Sequence, residues 1–191
     1  MKALHLRGLV LTIAALSVLA VAAVPAHASV TPVNANISGV STDSNLTDEG
    51  TGLRTRCPRS DFVGRTSADG RRVSGTLTFS GDGRTTCTEN VFGSSVTVVC
   101  RGNVTLTSRS SVAGVSASGD VSLDSDFECT IRAAIGAARS IRGPQTPTNC
   151  TWTFTQSTQL LTVRCATILT DSGGESGFAG SYRVTPRLVV S

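Results

Sequence analysis

The chain has 191 residues, 17 of them Lys or Arg against 13 Asp or Glu, with two His and six Cys. Aromatic residues make up only 4%, too few rings for the stacking platforms of single-stranded nucleic-acid binding. The histidines stand at positions 5 and 27 and the one lysine at position 2. The rest of the chain therefore lacks the groups that activate serine nucleophiles and, with its cysteines expected in disulfides, most ligands for zinc, copper and iron.

Those three residues fall in a leader-like segment. Lys2 and Arg7 give a positive start, Leu9 to Val24 is an almost unbroken apolar run, and Ala26-His27-Ala28 follows Pro25 as a small-x-small motif. This is the pattern of a secretory signal peptide, and the run is short for a membrane span. Cleavage after Ala28 is expected, with no transmembrane anchor, leaving residues 29–191 as one secreted domain. That part carries 15 Arg against 13 acidic residues, close to neutral and unlike a nucleic-acid-binding chain. It holds all six cysteines, Cys57, Cys87, Cys100, Cys129, Cys150 and Cys165. An even count in an exported chain predicts three disulfides. No C-x-x-C occurs, which argues against a zinc ribbon or a thioredoxin-type redox site.

Residues 29–53 are rich in Ser, Thr, Asn and Asp, with Val33, Ile37 and Val40 as thin apolar punctuation. They predict a weak first strand followed by a loop, with some mobility. Residues 54–84 carry seven arginines and three aspartates. Within them Ala68-Asp69-Gly70 is a turn signal. Val73 to Phe79 alternates, with Val73, Leu77 and Phe79 on one face, and reads as a half-buried strand. Ser80 to Gly83 turns the chain into C-T-E-N-V-F-G-S-S-V-T-V-V-C, Cys87 to Cys100. About a turn at Gly93-Ser94 the two cysteines oppose each other as a non-hydrogen-bonded pair, where side chains approach most closely. A Cys87–Cys100 bridge is expected.

Past Cys100, Val104 and Leu106 alternate with Thr105 and Thr107. Val112 to Ala117 reads as a small-residue strand and Gly119-Asp120 as a turn. Residues 120–129 alternate, with Val121, Leu123, Phe127 and Cys129 facing one way and Asp120, Ser122, Asp124, Asp126 and Glu128 the other. Ile131, Ala134, Ile135 and Ala138 have helical spacing, so a short helix or irregular stretch is expected over 130–142, ended by Pro144 and Pro147. Residues 150–165, C-T-W-T-F-T-Q-S-T-Q-L-L-T-V-R-C, form a second hairpin about Ser157-Thr158 with an expected Cys150–Cys165 bridge. Cys57 then pairs with Cys129 by elimination. Gly173, Gly174 and Gly177 mark a loop, and Phe178 to Val190 is the closing strand, with Pro186 at an edge or bulge.

Few residues could carry chemistry. Asp171-Ser172-Gly173-Gly174 resembles the D-S-G-G around the nucleophile of chymotrypsin-like serine proteases, with Thr170 where that family has glycine. The resemblance implies a protease, but its serine needs a histidine base, and none follows position 27. No catalytic residue and no cofactor is assigned. Asp120, Asp124, Asp126 and Glu128 are the one candidate metal set: all-oxygen ligands suit Ca²⁺, although side chains two apart on a strand face stand about 7 Å apart. Thr-x-Thr at Thr76/Thr78, Thr105/Thr107 and Thr151/Thr153/Thr155 could form a flat crystal-binding face, but Thr is favoured on outward strand positions in any case. The N-x-S/T sites at Asn36, Asn45, Asn103 and Asn149 would accept glycans in a eukaryote. An Arg-rich, Lys-free body instead suggests a high-GC bacterium.

The V-T-P-x-N segment at Val30–Asn34, the G-T-L-T-F strand at Gly75–Phe79 and the Cys-Thr hairpins resemble the secreted, Ser/Thr-rich, cysteine-containing β-proteins of actinobacteria. That resemblance implies export and a β fold and carries over no activity. The expected fold is all-β, an antiparallel β-sandwich or partly closed β-barrel of about eight to ten strands. The expected function is a secreted, non-enzymatic binding or envelope-associated role toward an extracellular protein or glycan. The alternatives are a barrel that carries a small apolar ligand and a carboxylate-type hydrolase. An apolar cavity of several hundred Å³ would favour the carrier, and two carboxylates facing each other in a cleft the hydrolase.

Overall fold

The structure, a computed structural model, describes residues 29–79, 85–89, 95–133 and 138–191. Its strands are β1 (Val30–Thr31), β2 (Asn36–Ser41), β3 (Ser44–Asp48), β4 (Arg54–Cys57), β5 (Ser60–Thr66), β6 (Arg72–Thr78), β7 (Thr85–Glu89) and β8 (Ser95–Arg101). They continue with β9 (Asn103–Val112), β10 (Ser116–Leu123), β11 (Glu128–Ala133), β12 (Arg139–Arg142), β13 (Cys150–Thr155), β14 (Leu160–Leu169), β15 (Glu175–Thr185) and β16 (Val189–Val190). No helix occurs among the described residues. The period-two pattern decides this. β10 buries Ala117, Gly119, Val121 and Leu123, β13 buries Cys150, Trp152 and Phe154, and Ser, Thr or Asp lies between them. Such segments satisfy an antiparallel sheet with one packed face and one wet face.

The neighbours β15, β14, β13, β10, β9, β6, β5 and β2 pair antiparallel in that order, and β2 pairs back to β15. This closes an eight-stranded barrel, which removes its own exposed edges. Six further strands, β3, β4, β7, β8, β11 and β12, extend from β15. β15 serves both parts: Ser176 to Ala179 pair with β3, and Arg183 to Thr185 pair with β2. The extension curls back on itself. Ile141 of β12 bridges Thr170, just past β14, and the Asp171 N–H donates to the Ser140 carbonyl at 2.9 Å. The β14–β15 hairpin is thus a spine, with the barrel strands along one half and the extension along the other.

One core joins the halves. Leu46, Cys100, Cys129 and Ile141 of the extension and Leu106, Leu161 and Val163 of the barrel line a single small apolar cavity. Phe79 meets Phe178 edge to face, centroids 6.4 Å apart at 89°, a preferred aromatic geometry. Inside the barrel, Gly64 and Gly75 face each other across β5 and β6. A Cβ on either would come within 2.9 Å of the Phe62 ring, so the glycines make room for that ring.

Where β2 and β3 part from β15, a line of buried hydroxyls fills the fork. The Tyr182 hydroxyl lies 2.9 Å from Ser60 Oγ, which lies 2.5 Å from Ser44 Oγ. The Ser44 hydroxyl donates to Ser41 Oγ at 3.2 Å, and Ser41 Oγ accepts the Asp43 N–H at 3.4 Å. All four side chains are at most 1% exposed. The chain of bonds satisfies polar groups whose burial is otherwise costly.

Several expectations are corrected. Residues 29–53, expected as one weak strand and a loop, supply β1, β2 and β3 and bury Val30, Ile37 and Leu46. The expected helix over 130–142 is strand at Glu128–Ala133 and Arg139–Arg142, paired to each other and to β8; residues 134–137 lie outside the described residues. Pairing of β11 along β8 outweighs the helical spacing of Ile131, Ala134, Ile135 and Ala138. The turn expected at Gly119-Asp120 is instead continuous strand within β10, opposite a bulge at Arg109 of β9. Gly119 sits there because a Cβ would lie 1.9 Å from the Thr107 carbonyl oxygen, and such close backbone approach is a common use of strand glycine. The reversal falls earlier, at residues 113–115.

All six cysteines are in disulfides, but with different partners. Cys150–Cys165 forms as expected, whereas Cys87 bonds to Cys57 and Cys100 to Cys129. The expected Cys87–Cys100 and Cys57–Cys129 bridges do not form. β7 sets Cys87 opposite Val96, a register not centred on Gly93-Ser94, a pair that itself lies outside the described residues. Cys100 directly opposes Cys129 across β8 and β11. Cys57 and Cys87 follow the Arg56–Thr88 pair of β4 and β7. Each disulfide thus joins facing residues of adjacent antiparallel strands, as the local argument required, but two of the three strand neighbours are distant in sequence.

Candidate functional site

The interior offers little room. The shared apolar cavity has a volume of about 50 Å³, and a second, of about 20 Å³, lies between Trp152, Phe154, Ser108 and Leu188 at the β1–β16 end of the barrel. Ligand pockets for drug-sized molecules run to roughly 300–1,000 Å³. An eight-stranded barrel is just wide enough for its own side chains to fill it, and Phe62, Trp152, Phe154 and Tyr182, all buried, do so. The Trp152 indole N–H donates to the Thr107 carbonyl at 3.3 Å, so its polar edge is used structurally.

The four acidic candidates for calcium do not converge. Asp120 pairs with Arg109. Asp124 accepts the Thr105 hydroxyl at 3.2 Å. Asp126 accepts the Asn103 backbone N–H at 3.1 Å and its side-chain amide at 2.9 Å. Glu128 pairs with Arg101, and with Arg142 at 3.4 Å. The chain turns between Asp124 and Phe127, whose N–H donates to the Asp124 carbonyl at 3.0 Å, so the residues do not share one strand face. No group of three His, Cys, Asp or Glu residues could hold a metal ion among the described residues.

Asp171 to Gly174 is the tight turn between β14 and β15. Its closing bonds are Thr170 N–H to Gly174 O at 2.9 Å and Gly173 N–H to Thr170 O at 3.0 Å. Gly173 has φ +76, the left-handed conformation that glycine adopts freely. The Ser172 hydroxyl lies 3.1 Å from Thr170 Oγ1, and its neighbour Asp171 accepts the Ser140 N–H at 3.0 Å. These residues shape a reversal and anchor β12.

The arginines of 54–84 are spread over both halves: Arg56 pairs with Asp43 and Arg59 with Asp61, each at 2.9 Å. The Thr-x-Thr residues do form rows across strands, such as Ser118, Thr153, Thr162 and Ser181. Those rows wrap around a closed barrel whose strands twist by roughly 20–25° each, so they do not make the flat lattice a crystal surface needs.

A larger concave feature than either cavity is outside, on the outer face of β8 and β11. It is a groove of about 460 Å³ lined by Thr97, Val99, Arg101, Glu128, Thr130 and Arg132, whose alkyl and methyl groups contribute at least as much surface as their polar atoms. Alternation places them there: Val96, Val98, Cys100 and Cys129 point inward, so the residues between them point outward. The run Val96 to Arg101 announces a strand in the sequence. Its pairing with β11 is not local, which is why the groove escapes a reading of the chain.

No family model, curated protein or solved structure matches this chain.

Proposed function

We propose that the chain is a secreted, non-enzymatic protein that binds a polar extracellular partner, a glycan or a cell-surface protein, through its outer surface. The carrying observation is the contrast between a filled apolar interior, with about 50 Å³ of free volume, and an external groove of about 460 Å³ that carries hydroxyl, guanidinium and carboxylate groups. Thr97, Thr130, Arg132 and the Arg101–Glu128 pair offer hydroxyls and charges at which partner hydroxyls or amides can bond. The leader-like segment 1–28 and three disulfides suit an oxidising exterior. Cleavage after Ala28 spares every described strand, because β1 begins at Val30. The resemblance to exported actinobacterial β-proteins points the same way.

The test is binding of the exported protein to a delipidated cell-envelope fraction. Binding should saturate, and it should weaken on Arg132→Glu or on Thr97→Val with Thr130→Val. Stoichiometric uptake of an apolar fluorophore by the native protein would favour the carrier. Turnover of glycosides or esters, abolished by a single carboxylate substitution, would favour a hydrolase.

A further inference from the structure

The end of the barrel opposite the extension carries β1, β16 and the turns that close the barrel strands. Its floor is made of loops bonded to one another. Val30 N–H donates to Gly70 O at 2.9 Å, Ser108 N–H to Arg71 O at 2.8 Å, Gly114 N–H to Val190 O at 2.9 Å and Gln156 N–H to Val115 O at 2.8 Å. The platform is therefore set by backbone pairing.

Two kinds of residue project from it. Four of the seven exposed large hydrophobics among the described residues are here: Val33 at 42%, Val112 at 59%, Val115 at 54% and Val189 at 44% exposure. Val112 and Val115 flank the β9–β10 reversal, which the Gly114–Val190 bond ties to Val189. Around them lie exposed arginines at positions 65, 71, 72, 109, 183 and 187, against Asp69 and Asp120. Asp120 is paired with Arg109, and Asp69 accepts the Ser67 hydroxyl at 2.5 Å and the Arg71 N–H at 3.0 Å. The far end of the spine carries Asp48, Glu49, Asp171 and Glu175 at the β3–β4 and β14–β15 turns, with Asp48 paired to Arg139 and Arg54 beside it.

Exposed apolar tips ringed by cations match the two layers of an anionic bilayer surface, charged headgroups over hydrocarbon. The chain's own apolar run, Leu9 to Val24, joins the structure at Ser29, on this same end, where Ser29 and Ser191 pair beside β1 and β16. We propose that this end docks onto a lipid bilayer carrying anionic headgroups, with the valines entering the interface and the arginines meeting lipid phosphates. The groove on β8 and β11 belongs to the extension and so lies apart from this end. The proposal rests on the reading of the chain as an exported surface binder and assigns where that binder sits.

The test is co-sedimentation of the exported protein with vesicles of mixed phosphatidylglycerol and phosphatidylcholine, against pure phosphatidylcholine. Binding to the anionic vesicles should fall as salt rises. Arg71→Ser with Arg187→Ser should weaken it about 25-fold, roughly fivefold per charge. Val112→Ser with Val115→Ser should weaken it roughly tenfold or more. Val63→Ser, on the barrel wall, should leave it unchanged. All five sites are exposed, so folding is not at stake. No binding at low salt, or equal binding to both vesicle types, overturns the proposal. Tight binding to soluble polyphosphate that ignores the valine substitutions overturns it in favour of an acidic polymer. Loss of vesicle binding with delipidated-envelope binding intact removes the lipid proposal alone, and the reverse result removes the groove.

Discussion

Tyr182 is the only tyrosine in the chain, so its ionisation can be read directly by the absorbance of tyrosinate. Burial pushes its pKa from 10 to about 12, opposed in part by hydrogen bonds with Ser60 and Ser44. In the unfolded chain the phenol should ionise near 10. Between those values the folded state keeps a proton that the unfolded state has lost, so stability falls as pH rises from about 10 through about 12. A shift of two units corresponds to about 3 kcal/mol of lost stability across that window, a large part of the margin of a domain this size. The measurement is a spectrophotometric titration of the native protein beside the same protein in denaturant. The denatured sample should titrate near pH 10. The native sample should hold back to about 12, or rise abruptly with loss of Trp152 fluorescence if unfolding comes first. A native curve that superimposes on the denatured one, with the fold intact, refutes the buried hydroxyl line at the β2–β3 fork.

The same fork can be tested by substitution: Tyr182→Phe should cost about 1–2 kcal/mol and Ser60→Ala about 2–3, since each leaves buried hydroxyls unpaired. The double variant should cost less than the sum by about 1 kcal/mol in denaturant melts; strict additivity would mean the two do not share a bond. Non-reducing peptide mapping should recover Cys57 with Cys87, Cys100 with Cys129 and Cys150 with Cys165, and a peptide linking Cys87 to Cys100 would contradict the β7–β8 register. Removing either long-loop disulfide as a Cys-to-Ala pair should lower stability by about 3–4 kcal/mol in the chain-entropy account, seen as an earlier thermal midpoint. Gly119→Ala should destabilise by about 2–4 kcal/mol, because its Cβ would meet the fixed Thr107 carbonyl. Gly114→Ala, with open space around it but φ +71, should cost only about 1 kcal/mol; equal effects would speak against the bulge.

Much of this protein is local and hence legible in the sequence. Period-two alternation in Val73–Phe79, Val121–Leu123 and Cys150–Phe154 marks strands because each residue's face depends only on its neighbours' pleat. The Cys150–Cys165 bridge could be anticipated for the same reason: its strands are joined by a short turn, and spacing alone fixes what faces what. The chemistry missing from the body of the chain, an imidazole and a lysine amine, is likewise a matter of composition. What needed the tertiary structure was every pairing between strands distant in sequence. Cys57 with Cys87, Cys100 with Cys129, the return of β2 to β15, and the curl of β12 back to Thr170 depend on which sheet edges meet. Non-local pairing is set by the packing of the whole core, and no window along the chain encodes it. The groove on β8 and β11 and the basic, valine-tipped end of the barrel are both products of that pairing. Their residues lie far apart in the sequence and become a surface only when the extension pairs β8 with β11 and the barrel closes.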